Sequence, residues 1–240
     1  MDLYEEKALE ELKYWQKKMS KRPSITGRLT KGVQNKINDL IPEKFHEVIT
    51  VAIKNMVKAV IIGSEYITKG PLIVGSLRER EEQVRNKIDF YKKAAAVSGA
   101  GTGAGGIILG LTDFPLLLSL KMKFLFDAAS LYGFDVKDYK ERLYILYIFQ
   151  LAFSSEMRRR EVYYEILDWE KRVHELPRDL NSFDWKTFQQ EYRDYIDVAK
   201  MLQLVPGIGA AVGAYANYKL MNKLGDTAIN AYRLRWFGSG

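Results

Sequence analysis

The sequence predicts an all-α protein, folded as a single bundle of roughly eight or nine helices with two Gly-rich helices packed closely at its centre. Apolar residues recur at helical spacing along most of the 240 residues, and no convincing alternating strand pattern occurs. Hydrophobic residues make up 47% and charged residues 28% of the chain, which excludes wholesale disorder. No long linker divides residues 1–237, so we expect one domain, and residues 238–240 are typical of a linker or tag remnant.

The N-terminal helices are predicted from apolar stripes and from local start and stop signals. In the first helix acidic residues precede basic ones, which suits the helix dipole, and Pro23 ends it. Ser76 and Glu79 have capping-box spacing and open a later helix. The predicted helices here are residues 3–20, 25–40, 43–62 and 76–94.

The C-terminal half continues the helical pattern. Gly133 stands where a C′ glycine would end a helix, and Pro177 breaks another. The helix over residues 136–153 is apolar almost all round, which is typical of a central position. The predicted helices here are residues 115–132, 136–153, 155–176, 184–204 and 214–236.

Glycine is unevenly distributed: nine of 18 lie in residues 94–112 and 201–218, two segments without a charged residue. Small residues four apart leave a flat helix face that another backbone can approach closely, as in membrane helices. Because each glycine costs about 1 kcal/mol in an aqueous helix, we expect tight packing or membrane insertion in return. The residues that carry this prediction are Gly99, Gly103, Gly106, Gly110, Gly209 and Gly213.

Two other interpretations of these Gly-rich segments are weaker. Residues 101–106 fit G-x-G-x-x-G, but a charged helix precedes them instead of a strand, which argues against nucleotide binding. Each segment approaches the roughly 20 residues of a spanning helix, yet its hydropathy is modest and Pro206 interrupts the second. A conventional span is therefore not expected, while re-entrant or conditional insertion stays open.

Catalytic candidates are few. Asp113 is the only ionisable residue between residues 94 and 120, and it is interpreted either as a helix N-cap beside Pro115 or as a buried functional carboxylate. Asn217 is a second buried polar candidate. Without cysteine, and with only two histidines, the chain lacks a thiol nucleophile and a three-His metal site. The sequence favours a non-enzymatic role without metal or cofactor, and an enzyme using Asp113 is kept as an alternative.

The net charge of +7 favours an acidic partner. Basic residues beside aromatic ones suit contact with an anionic membrane surface or a membrane protein, although each cluster also fits an ordinary solvated helix end. No RNA-binding signature supports nucleic acid. No signal peptide pattern opens the chain, so we expect a cytoplasmic protein, peripheral at the inner face of the membrane. The predicted contact residues are Trp15, Lys17, Lys18, Arg233, Arg235 and Trp236.

Several sequence blocks together resemble the EcsC protein family. They are the Gly-rich run leading into Asp113-Phe114-Pro115, the Leu131–Asp135 block, residues 202–218 and residues 231–235. The resemblance implies a helical protein of largely uncharacterised activity, from a family named after a gene neighbouring an ABC-type transporter in Firmicutes. It supplies no catalytic residues.

These observations lead to one function hypothesis and two alternatives. The first is a membrane-associated accessory protein that binds anionic lipid or a membrane-protein partner, for which the resemblance suggests an ABC-type transporter. The alternatives are a soluble helical module that holds a lipid or another apolar ligand between helices, and an enzyme of unknown reaction.

Overall fold

The computed structural model describes residues 1–22, 43–62, 68–103, 106–174, 184, 186–192 and 209–238. Throughout these ranges the regular structure is helical, so the predicted all-α class is confirmed. Residues 186–192 form a helical segment in addition to eight bounded helices. The predicted helix at residues 25–40 lies outside the described residues, as does most of residues 193–208. The eight helices are α1 Leu3–Met19, α2 Glu43–Ile62, α3 Leu77–Gly103, α4 Gly106–Leu131, α5 Tyr139–Ala152, α6 Glu156–Leu167, α7 Trp169–Arg172 and α8 Gly209–Gly238.

The helices α3 and α8 pack antiparallel along their length and form the most extensive contact between two described helices. Lys92 lies over the ring of Tyr218, while Ile88, one turn earlier in α3, meets Gly225, further along α8. A Cβ at Gly225 would lie 2.5 Å from Cδ1 of Ile88, so the two helices cross where only glycine fits without a shift. Close packing through glycine therefore occurs, at a position that the spacing argument did not single out.

The predicted capping signals are confirmed at the start of α3 and after the end of α4. The backbone N–H of Glu79 donates to Oγ of Ser76, and the Glu79 carboxylate accepts from the Ser76 N–H at 2.8 Å. At the end of α4, Gly133 has φ +95°. Its N–H and that of Phe134 donate to carbonyls of the last turn, as in a Schellman motif.

The core gathers around α4, α5 and α8. Leu143, Tyr144, Ile148 and Phe149 of α5 are buried, as expected for a helix that is apolar on most sides. The Tyr144 hydroxyl donates to the backbone carbonyl of Ala231 at 2.7 Å, which fixes α5 against α8.

The start of α4 differs from the prediction. The helix begins at Gly106 and contains Pro115 in its interior, so Asp113 lies well inside α4 and is not its N-cap. An interior proline removes one helical hydrogen bond and disfavours a helix, but α4 packs extensively against α2 and α3, and this packing retains the helix through Pro115. The segment 94–112 is consequently divided between the last turns of α3 and the first turns of α4.

Candidate functional site

The ends of three helices without any charged residue lie together at one end of the bundle. Beyond Lys93, α3 continues uncharged to Gly103, and α8 is uncharged from Gly209 to Tyr218. Because Lys92 lies 5.0 Å from the Tyr218 ring in an antiparallel pair, both uncharged stretches project in the same direction. The start of α4 joins them, because α4 begins three residues after α3 ends and runs antiparallel to it. Arg80, near the start of α3, donates to the carbonyl of Leu131 at the end of α4, and Tyr91 packs on Phe124 further along, with ring centroids 6.0 Å apart. We call residues 94–103, 106–112 and 209–218 the charge-free end.

The glycines predicted for close packing or insertion all belong to this end. Their positions are Gly99 and Gly103 in α3, Gly106 and Gly110 in α4, and Gly209 and Gly213 in α8. Gly213 is buried. The spacing thus marks the ends of three helices, whereas the close crossing at Gly225 lies further along α8.

The basic end of α1 points toward the charge-free end. Near its start, Glu5 accepts a hydrogen bond from Trp236 Nε1, and one Oε of Glu11 lies 2.9 Å from Arg233 Nη1. These contacts make α1 antiparallel to α8, which brings Lys18 into the neighbourhood of Lys223. The acidic half of α1 therefore lies at the far end of the bundle, and its basic half lies near the charge-free helix ends.

The start of α6 adds further cations beside the end of α1. Arg160 Nε donates to the backbone carbonyl of Ser20 at 3.2 Å, and Trp15 packs edge-on against Tyr163 with ring centroids 5.8 Å apart. Cations from four helices and from the two residues Lys21 and Arg22 after α1 thus lie beside the base of the charge-free end, and we call them the basic collar. Its residues are Lys17, Lys18, Lys21, Arg22, Lys92, Lys93, Arg159, Arg160, Lys219 and Lys223.

Two exposed tyrosines accompany the collar, and sequence reasoning missed them. Tyr215 is 62% exposed and Tyr218 is 38% exposed. Lys219 Nζ lies 5.4 Å from the centroid of the Tyr215 ring, so lysine and aromatic ring form adjacent pairs on the surface. The available signal was two tyrosines three residues apart, directly before the first lysine of α8.

The predicted contact residues divide between the two ends of the molecule. Lys17 and Lys18 are exposed in the collar, and Trp15 is half-buried beside it. Arg233 and Arg235 are buried, and their prediction as surface contacts is wrong. Trp236 is half-buried at the same far end.

Buried ion pairs explain the position of these two arginines. Arg233 bonds both carboxylate oxygens of Glu81, at 2.6 and 2.7 Å, and Arg235 does the same with Glu141. Burial by itself lowers the pKa of Arg233, but the Glu81 carboxylate outweighs it and raises the pKa overall. Glu81 and Glu141 therefore neutralise both arginine charges inside the bundle, and these ion pairs join α8 to α3 and α5.

The two polar candidates have different outcomes. Asn217 is buried as predicted, at 4% exposure, and its Nδ2 has no hydrogen-bond partner among the described residues. The side chain of Asp113 lies outside the described residues, so the pairing of these two residues stays a prediction.

A buried carboxylate that the sequence did not reveal occurs at Asp127. It accepts hydrogen bonds from Thr68 at 2.7 Å and Tyr91 at 3.0 Å, and it pairs with Lys87 and Lys123. Burial raises the pKa of Asp127, but the bonds from its partners lower it overall. The pKa of Tyr91 is raised, by burial first and by Asp127 second, so this hydroxyl stays protonated. Such a saturated carboxylate joins helices and does not provide a free acid or base.

A groove of about 450 Å³ opens between α2 and α4. Apolar side chains including Val51, Met56 and Leu118 form most of its wall. Glu47 and Ser119 are among the polar groups that line it.

Neither a membrane span nor a metal site occurs among the described residues. None of the helices there has the length and hydropathy needed to cross a membrane. Over the same ranges, no group of three or more His, Asp or Glu side chains is placed to hold a metal ion.

The fold and this site define an all-helical protein in which charge-free helix ends and a collar of cations occupy one end of the bundle. The chain belongs to the EcsC protein family, whose pattern matches residues 6–237, as the sequence blocks predicted. It is 49% identical over 228 residues to Protein EcsC of Bacillus subtilis (strain 168), covering 95% of this chain and 94% of that protein. It is 26% identical over 256 residues to the uncharacterized protein YdbA of the same strain, covering 98% and 92%. No solved structure matches the chain.

Proposed function

We infer that this protein is a non-enzymatic, membrane-associated accessory protein that places its charge-free end against an anionic membrane surface. The observation that carries the proposal is the coincidence of the charge-free helix ends with the basic collar at one end of the bundle. Either feature alone is common in helical proteins, but their order along the molecular axis matches the order of hydrocarbon and headgroups in a bilayer.

The dimensions support a shallow insertion. Residues 94–103 of α3 are helical, and ten helical residues extend about 15 Å. The hydrocarbon core of a bilayer is about 30 Å thick, so the charge-free end reaches about half of it. Tyr215 and Tyr218 then lie where amphipathic rings are favoured, at the boundary between headgroups and acyl chains.

Electrostatic attraction also favours placing the charge-free end and its basic collar against an anionic membrane surface. A lysine or arginine near an anionic leaflet contributes about 1 kcal/mol. The helices α4 and α8 begin at the charge-free end, so their positive dipole ends face the same surface. The cytoplasmic leaflet carries the anionic lipids that such a surface binds, which supports a peripheral position at the inner face. A membrane protein such as an ABC-type transporter is the other partner that this surface could serve.

Vesicle co-sedimentation tests the proposal. The wild-type protein is expected to pellet with phosphatidylglycerol vesicles at low salt and to remain in solution with phosphatidylcholine vesicles. Lys17→Gln with Lys18→Gln removes two collar cations, which lowers binding by about thirtyfold because each is worth about 1 kcal/mol. Lys7→Gln with Lys137→Gln is the matched control, since it removes the same charge from exposed positions at the far end. An equal loss of vesicle binding in the two double variants, or no vesicle binding by the wild type, would overturn the proposal.

The groove between α2 and α4 favours a second candidate function. Its volume of about 450 Å³ lies within the usual range of small-molecule sites, and its wall is mostly apolar. A soluble module that holds a lipid or another apolar ligand would use such a groove. Native mass spectrometry tests this function. A ligand-holding module should carry a bound lipid that is lost in Val51→Glu and retained in Lys7→Gln.

A further inference from the structure

We propose that the groove between α2 and α4 binds a cationic amphiphile, with its ammonium group at Glu47 and its apolar part along the wall that contains Val51. The inference rests on the second candidate function in one respect: it takes the groove to be a ligand site and names the chemistry of the ligand. It does not depend on binding to a membrane, and its test uses no vesicles.

One further segment of the chain fixes both walls of the groove. Gln189 Nε2 donates to Thr50 Oγ1 of α2 at 2.9 Å, and the ring centroid of Tyr192 lies 6.2 Å from that of Phe114 in α4. Residues 186–192 therefore contact α2 and α4 together. Because this segment holds the two walls, little ordering of the protein is needed when a ligand enters the groove, which lowers the cost of binding.

The α2 wall presents a carboxylate at one end and apolar side chains beside it. Glu47, Val51 and Asn55 line the groove and follow one another at four-residue intervals, so they lie on one side of the helix. At 1.5 Å per residue, the wall from residue 47 to residue 55 is about 12 Å long. A ligand that lies along it therefore meets the carboxylate first, then hydrocarbon, and then the amide of Asn55.

The charge of this wall selects the charge of the ligand. Among the described residues that line the groove, Glu47 is the only charged one, and it makes no hydrogen bond or ion pair with another described residue. Lys54, two turns further along α2, does not line the groove. An ammonium group can donate charge-assisted hydrogen bonds to the Glu47 carboxylate, whereas an anionic head group would be repelled. Glu47 beside an apolar wall therefore favours a cation that carries a hydrocarbon part.

Isothermal titration calorimetry tests the assignment with three probes that share one hydrocarbon chain: octylammonium, octanol and octanoate. The probes differ in the charge of the head group, while their apolar contacts with the groove are the same. Glu47→Gln removes the charge of the carboxylate and Glu47→Lys reverses it. Glu6→Gln and Glu6→Lys are the matched controls, since Glu6 is exposed on α1 and does not line the groove. Circular dichroism establishes that each variant is folded.

The wild type is expected to bind octylammonium about fivefold more tightly than octanol, which corresponds to about 1 kcal/mol, the upper end for an exposed ion pair, and to bind octanoate most weakly. Glu47→Gln should abolish this preference, Glu47→Lys should make octanoate bind more tightly than octylammonium, and both Glu6 variants should retain the order of the wild type.

Two results would overturn the inference in distinguishable ways. If the wild type shows no preference for octylammonium, or if Glu47→Gln retains the preference, the cationic assignment is overturned while an apolar ligand site in the groove stands. If the wild type binds none of the three probes, the inference and the second candidate function fail together, whereas the membrane proposal is unaffected.

Discussion

Gly225→Ala tests whether the crossing of α3 and α8 depends on the absence of one methyl group. A Cβ at this position would lie 2.5 Å from Cδ1, 2.6 Å from Cγ1 and 3.2 Å from Cγ2 of Ile88. Contacts under 3 Å require Ile88 to move, but Ile88 is buried and branched, so it has little space to move into.

Two opposing effects set the magnitude. Alanine in place of glycine favours the helix by about 1 kcal/mol. Overpacking a dense core costs about 1 to 3 kcal/mol. We therefore expect Gly225→Ala to lower the free energy of unfolding by between about 0 and 2 kcal/mol. The sign of the change alone is not decisive, because the lower limit is close to zero.

A double-mutant cycle with Ile88→Ala makes the test decisive. Ile88→Ala alone costs about 2 to 5 kcal/mol because it leaves a cavity beside Gly225. In the double variant the new methyl group occupies part of that cavity, so it should be more stable than the sum of the single changes by about 1 to 3 kcal/mol. Urea unfolding measures each free energy.

Gly238→Ala is the control for helix propensity, since a Cβ there meets nothing within 4 Å. Additive effects in the cycle, together with a full gain of about 1 kcal/mol in Gly225→Ala, would refute close packing at this crossing.

Three further predictions concern the buried polar groups. Arg233→Met removes the bidentate partner of the buried Glu81 carboxylate, which keeps a hydrogen bond from Tyr4 at 2.7 Å and a contact with Arg85 at 3.4 Å. Urea unfolding should therefore show a loss of about 3 kcal/mol, the lower end for a broken buried pair, and a loss below about 1 kcal/mol would contradict the ion pair. Asp127 has a lowered pKa in the folded state, so the stability that it contributes is complete above its unfolded pKa and is lost as the pH falls through the folded pKa. The melting temperature in acid should therefore depend less on pH in Asp127→Asn than in the wild type. Asn217→Leu removes a buried amide whose Nδ2 has no partner in the described part of the chain, so it should raise stability by about 1 to 3 kcal/mol, and a clear loss would instead indicate that this amide is needed.

The local signals predicted much of the fold because they act over short distances along the chain. The capping box at Ser76 and the C′ glycine at Gly133 satisfy backbone groups within a few residues of themselves, so they need no knowledge of the remaining structure. Likewise, α5 is apolar on most of its sides, so its own sequence was sufficient to predict a central helix. The same reasoning failed at Pro115, because packing against neighbouring helices can retain a helix through a proline.

The candidate site was only partly predictable. Composition indicated uncharged segments and basic clusters, and Lys17 and Lys18 are exposed as expected. It could not show that α1, α6 and α8 bring their cations to one end, because that depends on antiparallel packing between residues distant in sequence. Tyr215 and Tyr218 were missed for the same reason, since their exposure depends on which face of α8 meets α3.

The sequence by itself determined the helical class, the family and the distribution of glycine and charge along the chain. Only the tertiary structure decided which cations face solvent. Arg233 and Lys18 are both basic residues near helix ends, yet Arg233 is buried in an ion pair with Glu81 of α3, while no helix among the described residues covers Lys18. The physical reason is that a charge becomes available to a partner only when no opposite charge within the fold neutralises it, and that opposite charge lies far away in sequence.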